Sequence, residues 1–148
     1  MTIKKISPGF FVAGQVSVTE VGTAAAQGVK TIMCNRPDNE AQGQPASSDI
    51  AAVAEGLGIA FVNLPVVSGA ITENDIKEFE AACHDAQGPI LAYCRTGTRS
   101  SMLWALAEAA KLDVDAVLSA TKKAGYDLSA MRPGLLERAA RTEGVPSP

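Results

Sequence analysis

The sequence predicts an α/β fold, with a central, mostly parallel sheet carrying helices on both faces. Short apolar runs such as Thr31-Ile32-Met33-Cys34, Ile59 to Leu64 and Pro89-Ile90-Leu91-Ala92-Tyr93 read as buried strands. Stretches of helical period lie between them, opened by Ser or Thr and closed by Gly. Strands that alternate with helices pair in parallel, because each crossover helix returns the chain to the same end of the sheet.

In chain order, Ile3 to Ile6 and Phe10 to Val12 flank Pro8-Gly9 and predict a small hairpin. Thr19 is the expected cap of a first helix, with Val21, Ala24 and Ala25 inward and Gly28 as its stop. After the strand Thr31 to Cys34, the polar loop Asn35 to Pro45 leaves from the strand's C-terminal end, the edge where ligands sit in parallel sheets. That placement brings Arg36 and Asp38 toward the site. The alternative is a solvated connection with an Arg36–Asp38 pair of little weight. Ser47 or Ser48 caps the next helix, Gly58 ends it, and Pro65 to Gly69 makes a second loop at the same edge. Thr72 caps a helix with Asp75 in its first turn and Ile76, Phe79 and Cys83 on one face. His84, the one histidine, is expected at that helix's exposed end rather than as a base.

The strand ending at Tyr93 leads into Cys94-Arg95-Thr96-Gly97-Thr98-Arg99-Ser100-Ser101, and a helix is expected from Ser100 to Lys111. Helical patterns follow from Asp113 to Ala124 and from a cap at Ser129, with Leu135, Leu136 and Ala139 inward. A single domain over residues 1–145 with a frayed tail at 146–148 is expected.

A Gly-containing loop that feeds a helix aims backbone N–H groups at one point, and the helix dipole adds partial positive charge there. A thiol in such a place, flanked by Arg95 and Arg99, is favoured as a thiolate nucleophile. Cys94 is therefore the expected nucleophile and Arg99 the expected anchor for an anionic substrate. The amides of Arg95 to Thr98 form the expected cradle, Arg95 an entry-side charge, and the hydroxyls of Thr96, Thr98 and Ser100 either steady the sulfur or cap the helix. Cys34 and Cys83 are expected as core hydrophobes.

The segment Tyr-Cys-Arg-Thr-Gly-Thr-Arg-Ser resembles the active-site loop of rhodanese-type sulfurtransferases, which place four residues between Cys and Arg, where tyrosine phosphatases place five. The helices that follow it, with no further strand, resemble instead the protein tyrosine phosphatase-like fold. Together with Pro-Gly-Phe-Phe-Val-Ala-Gly-Gln near the start and Asn-Arg-Pro-Asp mid-chain, this combination resembles the DUF442 family, the beta-lactamase-hydrolase-like phosphatase-like domain. The resemblance implies a stand-alone version of a domain described in several cases as a sulfurtransferase of sulfide oxidation. Sulfur transfer through a Cys94 persulfide is the reading favoured here. It implies a small anionic sulfur donor such as thiosulfate or a persulfide, a thiol acceptor, a sulfide-oxidising partner enzyme and no cofactor. A cysteine-dependent phosphatase is the alternative. It needs a general acid, for which Asp38 is the remaining candidate. A non-catalytic anion-binding module is the third reading.

Composition bounds the rest. With 148 residues, 47% hydrophobic, 20% charged, a net charge of −3 and a pI of about 5.1, the chain has no global reason to bind nucleic acid or anionic membrane. Three widely spaced cysteines without Cys-x-x-Cys pairs argue against zinc and against a disulfide framework. The same cysteine usage leads to the expectation of a reducing cytoplasm, and nothing near Lys4 and Lys5 resembles a signal peptide.

Overall fold

The central strand of the sheet is the last in chain order among the described residues. The computed structural model describes residues 2–143, so the tail expected at 146–148 lies outside the described residues. Five strands, β1 (Lys4–Ser7), β2 (Phe10–Ala13), β3 (Thr31–Cys34), β4 (Ala60–Asn63) and β5 (Ile90–Tyr93), form one sheet in the order β1-β2-β5-β3-β4. β1 and β2 make the expected antiparallel hairpin, and every other pairing is parallel. β5 therefore lies between β2 and β3, with Tyr93 in register with Ala13 and Cys34. All four of its residues are buried, as a strand covered on both faces requires.

Successive side chains of β5 point to opposite faces, and two apolar cores result. On one face Leu91 and Tyr93 join Ile32, and are covered by α1 (Val18–Ala26) through Val21 and Ala24 and by α2 (Ser47–Gly56) through Ile50 and Ala54. On the other, Ile90 and Ala92 join Val12 and Met33. There α3 (Glu73–Asp85), α4 (Thr98–Glu108), α5 (Val114–Lys123) and α6 (Arg132–Glu143) contribute Phe79, Leu103, Val117 and Leu135.

Local chemistry moves several boundaries. The cap of α1 is Ser17 rather than Thr19: its hydroxyl accepts from the N–H of Glu20, whose carboxylate returns to the Ser17 N–H in a closed capping box. Thr72 and Asp75 make the same box on α3, as the sequence predicts. Neither Ser47 nor Ser48 caps α2, whose N-cap position is Ala46. Asp38 replaces a cap, accepting from the Ser47 N–H and hydroxyl, both at 2.8 Å. α4 begins at Thr98, because Gly97 already turns the chain into the helix at φ +92°. Ser129 opens a single 3₁₀ turn (Ser129–Met131) whose entry is capped by Asp127, and α6 then starts at Arg132. Of the two leucines expected inward on α6, Leu135 is fully buried while Leu136 is 49% exposed, since only one of two adjacent helical positions can face the core.

Candidate functional site

Cys94 follows β5 directly and is 1% exposed. Its Sγ accepts a hydrogen bond from the Gly97 N–H at 3.1 Å. Gly97 holds the left-handed backbone that this reversal needs. Thr98, Arg99 and Ser100 form the first turn of α4, where backbone N–H groups lack intrahelical acceptors and the dipole is positive. A cavity of about 130 Å³ is lined by Cys94, Arg95, Thr96, Thr98 and Arg99, with Ser68, Gly69 and Ile71 from the loop after β4 and Met102 from α4.

Arg99 is 8% exposed, and its guanidinium is held at its end. Its Nη1 donates to Glu40 Oε2 at 3.0 Å and its Nη2 to Glu40 Oε1 at 3.2 Å, a two-point grip; Nη1 also reaches the carbonyls of Val66 at 2.8 Å and Asn35 at 3.3 Å. The Nε–H is buried and has no partner among the described residues. Glu40 thus occupies one edge of the guanidinium fork and leaves the Nε/Nη2 edge for another acceptor. Glu40 also takes the Arg36 Nε–H at 2.9 Å, while Arg36 Nη1 donates to Gln15 Oε1 at 2.9 Å. Hydrogen bonding from Arg99, and then from Arg36, holds the Glu40 carboxyl below its usual range.

The loop after β3 therefore reaches the site, but not through the expected residues. Arg36 pairs with Glu40 and not with Asp38, and it touches Arg99 only through that shared carboxylate. Asp38 is committed to Ser47 and does not line the cavity, so it is not placed as an acid. Ser100 is fully buried and its hydroxyl donates to Asn35 Oδ1 at 2.8 Å, tying α4 to the end of β3 rather than steadying the sulfur. Thr96 and Thr98 hydroxyls bond each other at 3.1 Å, and of the proposed cradle it is the Gly97 amide that bonds Sγ. Arg95 is exposed, its carbonyl accepting from the Gln15 N–H.

Cys34 is buried, its thiol donating to the Arg36 carbonyl at 3.2 Å, and burial pushes it upward in pKa. Burial and the charge of Glu108 push Cys83 up to about 12. Cys83 and the exposed His84 line a different cleft, between the β1–β2 turn, α3 and α4, that shares no residue with the Cys94 cavity. The sequence assigned no site role to Glu40, Gln15, Asn35 or Tyr126, whose hydroxyl donates to the Thr96 carbonyl at 3.0 Å. Gln15 and Asn35 do stand in the two segments that carry the family resemblance, and Glu40 lies in the polar loop four residues after Arg36, whereas Tyr126 is brought in by tertiary packing alone.

A family model described as "Beta-lactamase hydrolase-like protein, phosphatase-like domain" matches residues 2–111. A "Beta-lactamase hydrolase-like protein" of Xylella fastidiosa (strain Temecula1 / ATCC 700964) is 33% identical over 147 residues, 98% of this chain and 34% of that protein. The chain thus spans about a third of the length of the curated relatives it matches. A Neisseria meningitidis crystal structure, described as that of a candidate phosphatase, superposes with a TM-score of 0.85 at 35% identity, covering 93% of this chain and 99% of that one. P. aeruginosa TpbA in complex with pTyr superposes with a TM-score of 0.64 at 16% identity, over 97% of this chain and 91% of that one, a likeness of fold alone. The fold is of the cysteine-phosphatase type. These likenesses favour the phosphatase alternative over the sulfurtransferase reading that the loop spacing put first.

Proposed function

Since the chain belongs to the beta-lactamase hydrolase-like protein, phosphatase-like domain family, we propose that it is a cysteine-dependent phosphatase-type enzyme acting on small phosphomonoesters. One observation carries this reading: a buried thiol and an arginine with an unpartnered buried N–H line one small cavity at a helix N-terminus. Cys94 Sγ attacks phosphorus and the P–O bond to the leaving group breaks, its electron pair departing with the oxygen. Water then attacks the phosphocysteine, the P–S bond breaks, and inorganic phosphate leaves with the thiolate restored. Arg99 grips two phosphoryl oxygens through its Nε/Nη2 edge, while Glu40 fixes the other edge. The Gly97 N–H and the first turn of α4 stabilise negative charge on sulfur and on the transferring group.

None of the nine residues lining the cavity is a carboxylic acid, so the site favours leaving groups that depart as stable anions. The same lining, with the Cys-x₄-Arg spacing, supports a second reading, sulfane sulfur transfer. There Cys94 attacks the outer sulfur of thiosulfate, the S–S bond breaks, sulfite leaves with the electron pair, and an acceptor thiolate later takes the sulfur from the Cys94 persulfide. A sulfide-oxidising partner enzyme belongs to this second reading.

Hydrolysis of p-nitrophenyl phosphate, run beside intact-mass analysis after brief thiosulfate treatment, separates the two. Steady phosphate release that is abolished in Cys94→Ser, with no sulfur gained, supports the phosphatase. A gain of sulfur on Cys94 without phosphate release replaces it with the transferase. Full activity of both kinds in Cys94→Ser would defeat both readings.

A further inference from the structure

The peptide that donates to the Cys94 sulfur is itself held from behind. Thr96 C=O and Gly97 N–H belong to one planar trans peptide, so the two groups point in opposite directions. On one side, the Gly97 N–H reaches Cys94 Sγ at 3.1 Å; on the other, the Thr96 carbonyl accepts the hydroxyl of Tyr126 at 3.0 Å. Tyr126 stands in the turn after α5, its own N–H anchored on the Thr121 carbonyl at 2.9 Å. Its ring packs so closely on the loop that a Cβ at Gly97 would meet the Tyr126 oxygen at 2.1 Å and Cζ at 2.8 Å. Gly97 is thus required both for its φ and for the phenol seated against it.

We propose that Tyr126 is a positioning residue for the nucleophile: by holding the Thr96 carbonyl, its hydroxyl fixes the peptide that aims the Gly97 N–H at Cys94, and so favours the thiolate. Residue 126 lies beyond the stretch matched by the family model, on an element remote in sequence from the loop. A hydrogen bond to a carbonyl also polarises the N–H of the same peptide, strengthening its bond to an anionic sulfur. Burial first, and then the charge of Cys94, push the Tyr126 hydroxyl above its ordinary range, so it remains a proton donor wherever the thiolate forms. The other charged groups at the cavity are Arg95 and Arg99, and Glu40 stands behind Arg99.

The inference rests on Cys94 being the nucleophile, and the test reads the thiol directly instead of through turnover. Iodoacetamide alkylation of Cys94, located by peptide mass spectrometry, is followed from about pH 5 to 9 in wild type, Tyr126→Phe and Tyr126→Leu. Tyr126→Phe should react about threefold to tenfold more slowly between about pH 6 and 7 and recover the wild-type rate at the alkaline plateau, with the profile displaced to higher pH. Tyr126→Leu should lose at least as much. Superimposable wild-type and Tyr126→Phe profiles overturn the inference, as does a loss confined to Tyr126→Leu, which would leave the ring as packing only. A wild-type Cys94 with no greater reactivity at pH 7 than an unstructured cysteine peptide would overturn the nucleophile itself, and this inference with it.

Discussion

Glu40 shows how much one side chain can decide at this site. Its carboxylate receives Arg99 at two points and Arg36 at a third, so two largely buried guanidinium groups share one anion. Removing that charge leaves Arg99 held only through Nη1 on the Val66 and Asn35 carbonyls, and leaves two buried cations without that counterion. Glu40→Gln should therefore raise KM for the anionic substrate and lower kcat/KM by about tenfold or more, equivalent to about 1–3 kcal/mol of lost positioning. Initial-rate kinetics check this, and an unchanged KM would remove Glu40 from the site. Cys34 and Cys83 stand in contrast. Burial raises both thiols, so nothing in their surroundings prepares them for nucleophilic work.

At the scale of elements, the loop after β3 does two separate jobs. Glu40 serves the site, while two residues earlier Asp38 serves α2, whose N-cap position is an alanine with no side-chain oxygen to offer. Asp38→Ala should then cost about 0.5–2 kcal/mol, a fall in Tm of roughly 2–8 °C for a chain of this size. Activity at 25 °C should stay near wild type. Thermal melts and kinetics on one preparation test this, and a variant that keeps its Tm but loses turnover would return Asp38 to the catalytic machinery. On the opposite face α6 is tied down by Arg138, whose Nε donates to the Leu106 carbonyl at 3.0 Å and whose Nη1 donates to Glu73 at 2.6 Å. The last helix is thereby locked to both α3 and α4, behind the helix that carries Arg99.

For the molecule as a whole, the carboxylates that are shifted share a direction. Arg99 lowers Glu40, Arg138 lowers Glu73, and the Ser129 N–H lowers Asp127. A carboxyl lower in the folded than in the unfolded chain stabilises the fold above its unfolded value, and that contribution is lost as pH falls through the folded value. Stability should accordingly be level near neutrality and decline below about pH 4.5. These groups are partly or fully open to solvent, so the decline should be gradual and weakened by salt. Urea melts from pH 7 to 3 check the direction. A Glu40→Gln, Glu73→Gln double variant should show a flatter acid limb, and an equally steep one would mean that other groups carry it.

What the sequence determined by itself is the local layer of this protein. The apolar runs that became β3 and β5, the Thr72–Asp75 capping box, and the strand–Cys–Gly–helix loop all depend on residues a few positions apart, and periodicity and spacing report such neighbours directly. The tertiary structure alone decided which residues surround that loop. Whether Arg36 would meet Asp38 or Glu40 was not determined by a polar segment that offers both acids within four residues. Only the placement of Arg99, 59 residues away, fixed it. Tyr126 meets Thr96 across 30 residues because α5 packs on α4, and Gln15 meets Arg36 across 21 because β5 inserts between β2 and β3. Pairings of this kind are set by the packing of whole elements around the two cores, and no window of sequence contains both partners.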